Sequence, residues 1–176
     1  MNRTLRTCLA VPLLVLIVAA LLGAHPHFRK SVVAKLPDME IKLEYITYPW
    51  NPAHLSEVKD GFVYSCGNAT VELSKAVKIG NQEIGAGKYL LRARAKDVDH
   101  WTMILLPPPP DRNTPPDMSK AIELETRTLT GRPVCEHLAL DISAGHGETN
   151  GKALFILAWG DRQLEAVIAD FSMPKP

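Results

Sequence analysis

Apolar and polar side chains alternate with a period of two along most of this chain, the period of a strand lying on a core. Residues 39–47, MEIKLEYIT, set Ile41, Leu43 and Tyr45 on one side and Glu40, Lys42 and Glu44 on the other. Residues 122–128 repeat the arrangement, with Ile122, Leu124 and Thr126 opposite Glu123, Glu125 and Arg127. Residues 134–142 set Leu138, Leu140 and Ile142 against His137, Ala139 and Asp141. The densest block is residues 77–106, where three strand candidates are divided by two turn signals, Gly80-Asn81 and Gly85-Ala86-Gly87. Residues 88–95 and 101–106 are apolar and suited to a buried sheet. Both faces of WTMILL are largely apolar, so the pattern predicts Trp101 in the core or at its rim, its indole N–H bonded to a backbone carbonyl.

The remaining segments fit the same scheme. Residues 62–66 and 69–73 form one or two strands around Gly67 and Asn68. KALFILAW and RQLEAVIA flank Gly160-Asp161, a second two-residue hairpin signal. Six prolines between Pro107 and Pro116 predict a stiff, extended spacer joining strands that are not adjacent. Residues 25–37 show no clear period and read as a tether. No stretch of the body keeps a helical period for three turns. The expectation is an all-β domain over residues 38–172, a single antiparallel β-sandwich of about nine strands, with a barrel-like sheet as the alternative.

The first 24 residues change the setting. Arg3 and Arg6 precede Cys8 to Ala24, a run of 17 residues without charge, which reads as a cleaved signal peptide or a retained N-terminal membrane anchor. Either way the body is expected outside the cytoplasm, in the periplasm or another extracytoplasmic space, with membrane contact only through residues 8–24. Beyond this leader, 18 basic side chains meet 19 acidic ones, without the basic excess of a nucleic-acid binder. In an oxidising compartment Cys66 and Cys135 either form a disulfide or are two small buried apolar residues.

The central and final hairpins also resemble a known pattern. IGNQEIGAGKYLL followed by HWTMIL, at Gly80, Ile84, Ala86, Gly87, Tyr89, Trp101 and Thr102, is similar to the exported bacterial family catalogued as domain of unknown function 2911 (DUF2911). Trp159 and Gly160 resemble its closing hairpin, IKLEYITYP its opening strand and CGNATVEL its second. The likeness covers roughly residues 35–169 and implies a compact β domain outside the cytoplasm, without an established activity. The family's opening strand leads into Arg-Pro and Gly-Arg pairs, whereas this chain runs Tyr48-Pro49-Trp50-Asn51-Pro52-Ala53-His54, so any site built on those arginines is altered here.

Candidate chemistry is sparse. Glu136 and His137 point to opposite faces of a strand, and His146 and Glu148 sit in a glycine-rich loop, which favours incidental histidines over a metal site. No G-x-S-x-G elbow occurs, Ser65-Cys66 precedes a glycine without a partner base, and Glu123 with Glu125 reads as the wet face of a strand. Gly85-Ala86-Gly87 leads into a strand, not into a phosphate-binding helix. No catalytic residue, cofactor or metal is therefore expected. The most site-like stretch is Tyr45, Tyr48, Trp50 and His54, aromatics in a proline-rich loop that can form a platform for sugars or peptides. Against this, Trp50 can simply plug the open end of the sandwich. The expected role is a non-catalytic domain binding a ligand or partner at the cell envelope. A small envelope hydrolase and a membrane-tethered structural domain are the alternatives.

Overall fold

The computed structural model describes residues 27–79, 82–111 and 113–170. The leader, its apolar run and the turn residues Gly80 and Asn81 lie outside the described residues. In chain order the strands are β1 (Arg29–Lys35), β2 (Glu40–Ile46), β3 (Val63–Tyr64), β4 (Thr70–Leu73), β5 (Val77–Ile79), β6 (Gln82–Ile84) and β7 (Gly87–Ala95). They are followed by β8 (Trp101–Leu106), β9 (Ile122–Glu123), β10 (Thr126–Leu129), β11 (Cys135–Ala144), β12 (Lys152–Gly160) and β13 (Arg162–Asp170). The only helices among the described residues are short 3₁₀ turns at Pro52–Glu57, Met118–Lys120 and Gly147–Thr149.

All the strand pairings are antiparallel. The larger sheet runs β1-β2-β4-β7-β8-β9, with β3 also on β7; the second runs β10-β13-β12-β11. A small β5–β6 hairpin completes the fold. The result is all-β and sandwich-like, and no sheet closes into a barrel, which removes the barrel alternative. Alternation decides which side chains meet between the sheets. Ile41 and Leu43 of β2, Leu91 and Ala93 of β7, and Met103 and Leu105 of β8 are buried in one cluster with Leu138, Leu140, Phe155, Leu157, Leu164 and Ile168 of the second sheet. Each fully buried Leu, Ile or Phe contributes about 1.5–3 kcal/mol of transfer free energy. Trp101 lies in this core at 9% exposure, and its Nε1–H donates to the Val98 carbonyl at 2.9 Å.

Several expectations change. There are thirteen strands among the described residues rather than about nine, because short pieces at bends count separately. The segment read as a tether contains β1, which pairs with β2 along seven residues, from Arg29↔Ile46 to Lys35↔Glu40. As a sheet edge its burial is shallow, so RKSVVAK carries only a weak alternation. The proline-rich segment joins neighbours: β8 pairs with β9 at Ile104↔Glu123 and Leu105↔Ile122. Residues 122–128 are also not one strand. After β9 the chain crosses to the second sheet and becomes β10, paired with β13. That departure leaves the β8 edge, and threonines of β10 cover it. Thr126 Oγ1 accepts from the Met103 N–H at 2.9 Å, and Thr128 Oγ1 from the Trp101 N–H at 3.3 Å.

Between β3 and β4 the chain makes a left-handed turn, with φ +52° at Cys66, +67° at Gly67 and +54° at Asn68. Gly67 is buried there, and a Cβ would stand 2.1 Å from the Ile46 carbonyl oxygen, which only glycine avoids. Arg92 secures the turn, its Nη1 donating to the carbonyls of Ser65, Ala69 and Leu91 at 3.1, 3.2 and 2.7 Å. Among the described residues no disulfide is formed. Cys66 is a fully buried free thiol, which burial pushes up to about 12, and Cys135 is a free thiol donating to the His137 carbonyl.

Candidate functional site

The site grows from the end of β2. Thr47, buried at 2% exposure, anchors the chain entering β1: its Oγ1 accepts from the Phe28 N–H and its N–H donates to the Phe28 carbonyl. Its carbonyl accepts from His27 Nδ1 at 2.9 Å, so that nitrogen carries the proton and Nε2 is left for other partners. Prolines then forbid a continuous ladder. What remains is one isolated bridge, Pro49↔His137, flanked by Leu138 N–H to the Tyr48 carbonyl at 2.8 Å and Trp50 N–H to the Glu136 carbonyl at 2.7 Å. These bonds tie the loop to β11. Asn51 next caps the Pro52–Glu57 turn, its Oδ1 accepting from the Ala53 N–H at 3.0 Å, with proline at the start of the turn where no donor is needed. This turn presents His54 and Leu55.

The β12–β13 hairpin supplies the opposite side. Trp159 pairs with Arg162 across the Gly160-Asp161 turn, the two-residue reversal read from the sequence. Gly160 has φ +64°, and a Cβ on it would lie 2.5 Å from the Trp50 ring. Trp50 therefore packs flat over this turn and meets Trp159 edge-on, centroids 4.6 Å apart at 87°. Tyr64, on β3, stacks on Trp159 at 4.8 Å and 14°. His54 is tilted against Trp159 at 6.2 Å, and His27 against Tyr48 at 4.9 Å.

These rings surround an outer cleft of about 380 Å³ lined by His27, Tyr48, Pro49, Asn51, His54, Tyr64, Ser65 and Trp159. Behind it lies an apolar gap of about 20 Å³ between the sheets, lined by Leu55, Tyr64, Ala93, Trp101, Leu157, Trp159, Arg162 and Leu164. Tyr64 and Trp159 form the wall shared by both. Their polar atoms, Tyr64 Oη and Trp159 Nε1, are sealed from water and have no hydrogen-bond partner. Burial raises the Tyr64 pKa well above the ordinary tyrosine value, with smaller contributions from Cys66 and Tyr48, so the hydroxyl remains a donor. Among the described residues no Asp, Glu, Lys or Arg lines the outer cleft. The Arg162 guanidinium beside the inner gap is engaged by Asp161, by Asp99 and by the Val98 carbonyl.

Of the four aromatic candidates in the sequence, the structure brings Tyr48 and His54 into the cleft. Tyr45 is elsewhere: at 4% exposure it lies in the core beside Ile41 and Leu43, as its own alternation on β2 requires. Trp50 packs as a plug against Gly160 and is not in the cleft lining. Sequence reasoning missed His27, Asn51, Ser65, Tyr64 and Trp159. Of these, Trp159 had a marker beside a hairpin signal, and Ser65 was weighed only as a nucleophile without a base. The other sequence candidates are dispersed. His137 and Glu136 are exposed on β11, His146 precedes the Gly147–Thr149 turn and Glu148 lies within it, and Glu123 pairs with Arg94. Among the described residues no group of three His, Cys, Asp or Glu side chains could hold a metal ion.

Comparisons with protein-family models, with curated proteins and with solved structures find no match for this chain.

Proposed function

We propose that this chain is an exported binding domain of the kind catalogued as domain of unknown function 2911, holding an organic ligand without chemical change in the aromatic cleft. The observation that carries the binding reading is the pair of unpartnered donors, Tyr64 Oη–H and Trp159 Nε1–H, on the wall of a ring-lined cleft. A buried donor without a partner costs about 1–3 kcal/mol, and two in adjacent, stacked side chains are costly for packing alone. A ligand acceptor that enters as the Tyr48 or His54 ring rotates aside recovers that cost. The cleft volume falls within the roughly 300–1,000 Å³ common for small-molecule sites. Export and family membership rest on the leader pattern and on the motif residues Gly80, Ile84, Ala86, Gly87, Tyr89, Trp101, Thr102, Trp159 and Gly160.

The test is a titration of ¹⁵N-labelled protein with small sugars, short peptides, heteroaromatic compounds and organic acids, following the Trp159 indole resonance. At least one class is expected to shift it saturably, with the shift lost in Tyr48→Ala and His54→Ala while both variants keep the wild-type fold. The ligand should be recovered unchanged. Absence of any saturable shift, or shifts indifferent to both substitutions, would overturn the reading. Fractionation of cells expressing the full chain tests export: cytoplasmic protein alone would refute it.

A further inference from the structure

We infer that the ligand of this cleft is a neutral sugar, either a free monosaccharide or one unit of an oligosaccharide; this rests on the binding reading above. Charge makes the first selection. Among the described residues the outer cleft has no carboxylate, ammonium or guanidinium in its lining, so a phosphate, an organic acid or an amine would lose hydration without gaining a permanently charged partner. Shape makes the second. The apolar gap behind the wall measures about 20 Å³, room for a water-sized object and not for an acyl chain. The rings also fail to make a parallel slot for a flat heterocycle. Tyr64 and Trp159 are stacked on each other, and His27 stands at 55° to Tyr48.

What remains is a rim of groups that donate and accept. Asn51 keeps its amide N–H₂ free because only its Oδ1 is used in capping, and His27 keeps Nε2. Tyr48, Ser65 and His54 add hydroxyls and an imidazole, and the wall behind them holds the two buried, unpaired donors of Tyr64 and Trp159. A pyranose matches this inventory. Each hydroxyl can donate and accept, as the mixed rim demands. Its C–H faces carry slight positive charge, which the negative face of an aromatic ring attracts.

The test uses defined probes: glucose, galactose, mannose and N-acetylglucosamine with their neutral tetrasaccharides, against glucose 6-phosphate, glucuronate, adenosine and a neutral tetrapeptide. At least one neutral sugar should shift the Trp159 indole resonance saturably, with a Kd of about millimolar, a range a small shallow site reaches. Its 6-phosphate or uronate counterpart should bind at least about tenfold more weakly, since each tenfold corresponds to about 1.4 kcal/mol. Tyr64→Phe should weaken the sugar by a similar factor while the fold persists. If adenosine, the peptide or an acidic sugar binds at the cleft and no neutral sugar does, the ligand class is wrong and the binding site stands. If no probe shifts the resonance, the sugar inference falls and so does the cleft as its site.

Discussion

Two tryptophans face the same inner gap from opposite sheets, and their indole N–H groups have opposite fates. Trp101 opens β8 and donates to the Val98 carbonyl at 2.9 Å, a carbonyl that also accepts from Arg162 Nε. Phe62 meets it edge-on at 6.2 Å, and its own backbone N–H is covered by Thr128. Trp159, near the end of β12, stacks as closely on its neighbours but has no acceptor within reach. The Trp101 side is finished as a core is finished, apolar body buried and polar tip paired. The Trp159 side has the packing of a core and the unmet hydrogen bonds of a site. Buried polar groups are nearly always paired when packing is their only task, and the contrast marks the wall where packing alone leaves a deficit.

Removing the Trp101 ring should have the largest effect. Trp101→Ala leaves a cavity and takes one of the two donors from the Val98 carbonyl, and is expected to cost about 3–5 kcal/mol, read as a fall in denaturation midpoint at unchanged slope. A cost under about 1 kcal/mol would erase the distinction between the two walls. Gly160→Ala comes next. It forces a side chain into a left-handed backbone and against the Trp50 ring, at about 2–4 kcal/mol combined. Chemical denaturation measures this, and a neutral result would mean that Trp50 does not pack over the hairpin.

The smallest effect sharpens the comparison most. Tyr64→Phe removes an unpaired hydroxyl and keeps the ring, so stability should be unchanged or rise by up to about 1 kcal/mol, whereas an ordinary buried hydroxyl lost from a hydrogen bond lowers it. Alkaline pH adds a second reading of the same atom. The folded pKa of Tyr64 is raised above the unfolded value near 10.0, so the unfolded chain releases the proton first. Its stabilising contribution is complete below that pH and declines above it, by up to about 1.4 kcal/mol per pH unit. Cys66 behaves likewise from an unfolded value of 9.0 up to about 12. Equilibrium unfolding across pH 9–12 should therefore show a falling limb that is shallower above pH 10 in Tyr64→Phe. An unaltered limb would place the hydroxyl in water or on a partner.

The chain's own alternation settled which side of each strand faces inward. Ile41, Leu43 and Tyr45 are buried on β2, and Leu138 and Leu140 on β11, because successive side chains on a strand point to opposite faces whatever the strand pairs with; β8, apolar and buried on both faces, is the exception. Local turn chemistry did the same for Trp159↔Arg162 and for Ile79↔Gln82, since a tight reversal depends on a few adjacent residues. Tertiary structure decided the rest. Arg29–Lys35 became β1 through an edge pairing, Ile122–Glu123 and Thr126–Leu129 were assigned to different sheets, and the proline-rich segment turned out to join neighbours. None of those partnerships has a local signal, because strand pairing is a choice among distant segments of similar pattern. The cleft belongs to this second class. His27, Tyr48, His54, Tyr64 and Trp159 come from four separate stretches of chain, and only the closure of one sheet over the other brings their rings, and their two unpaired donors, to one place.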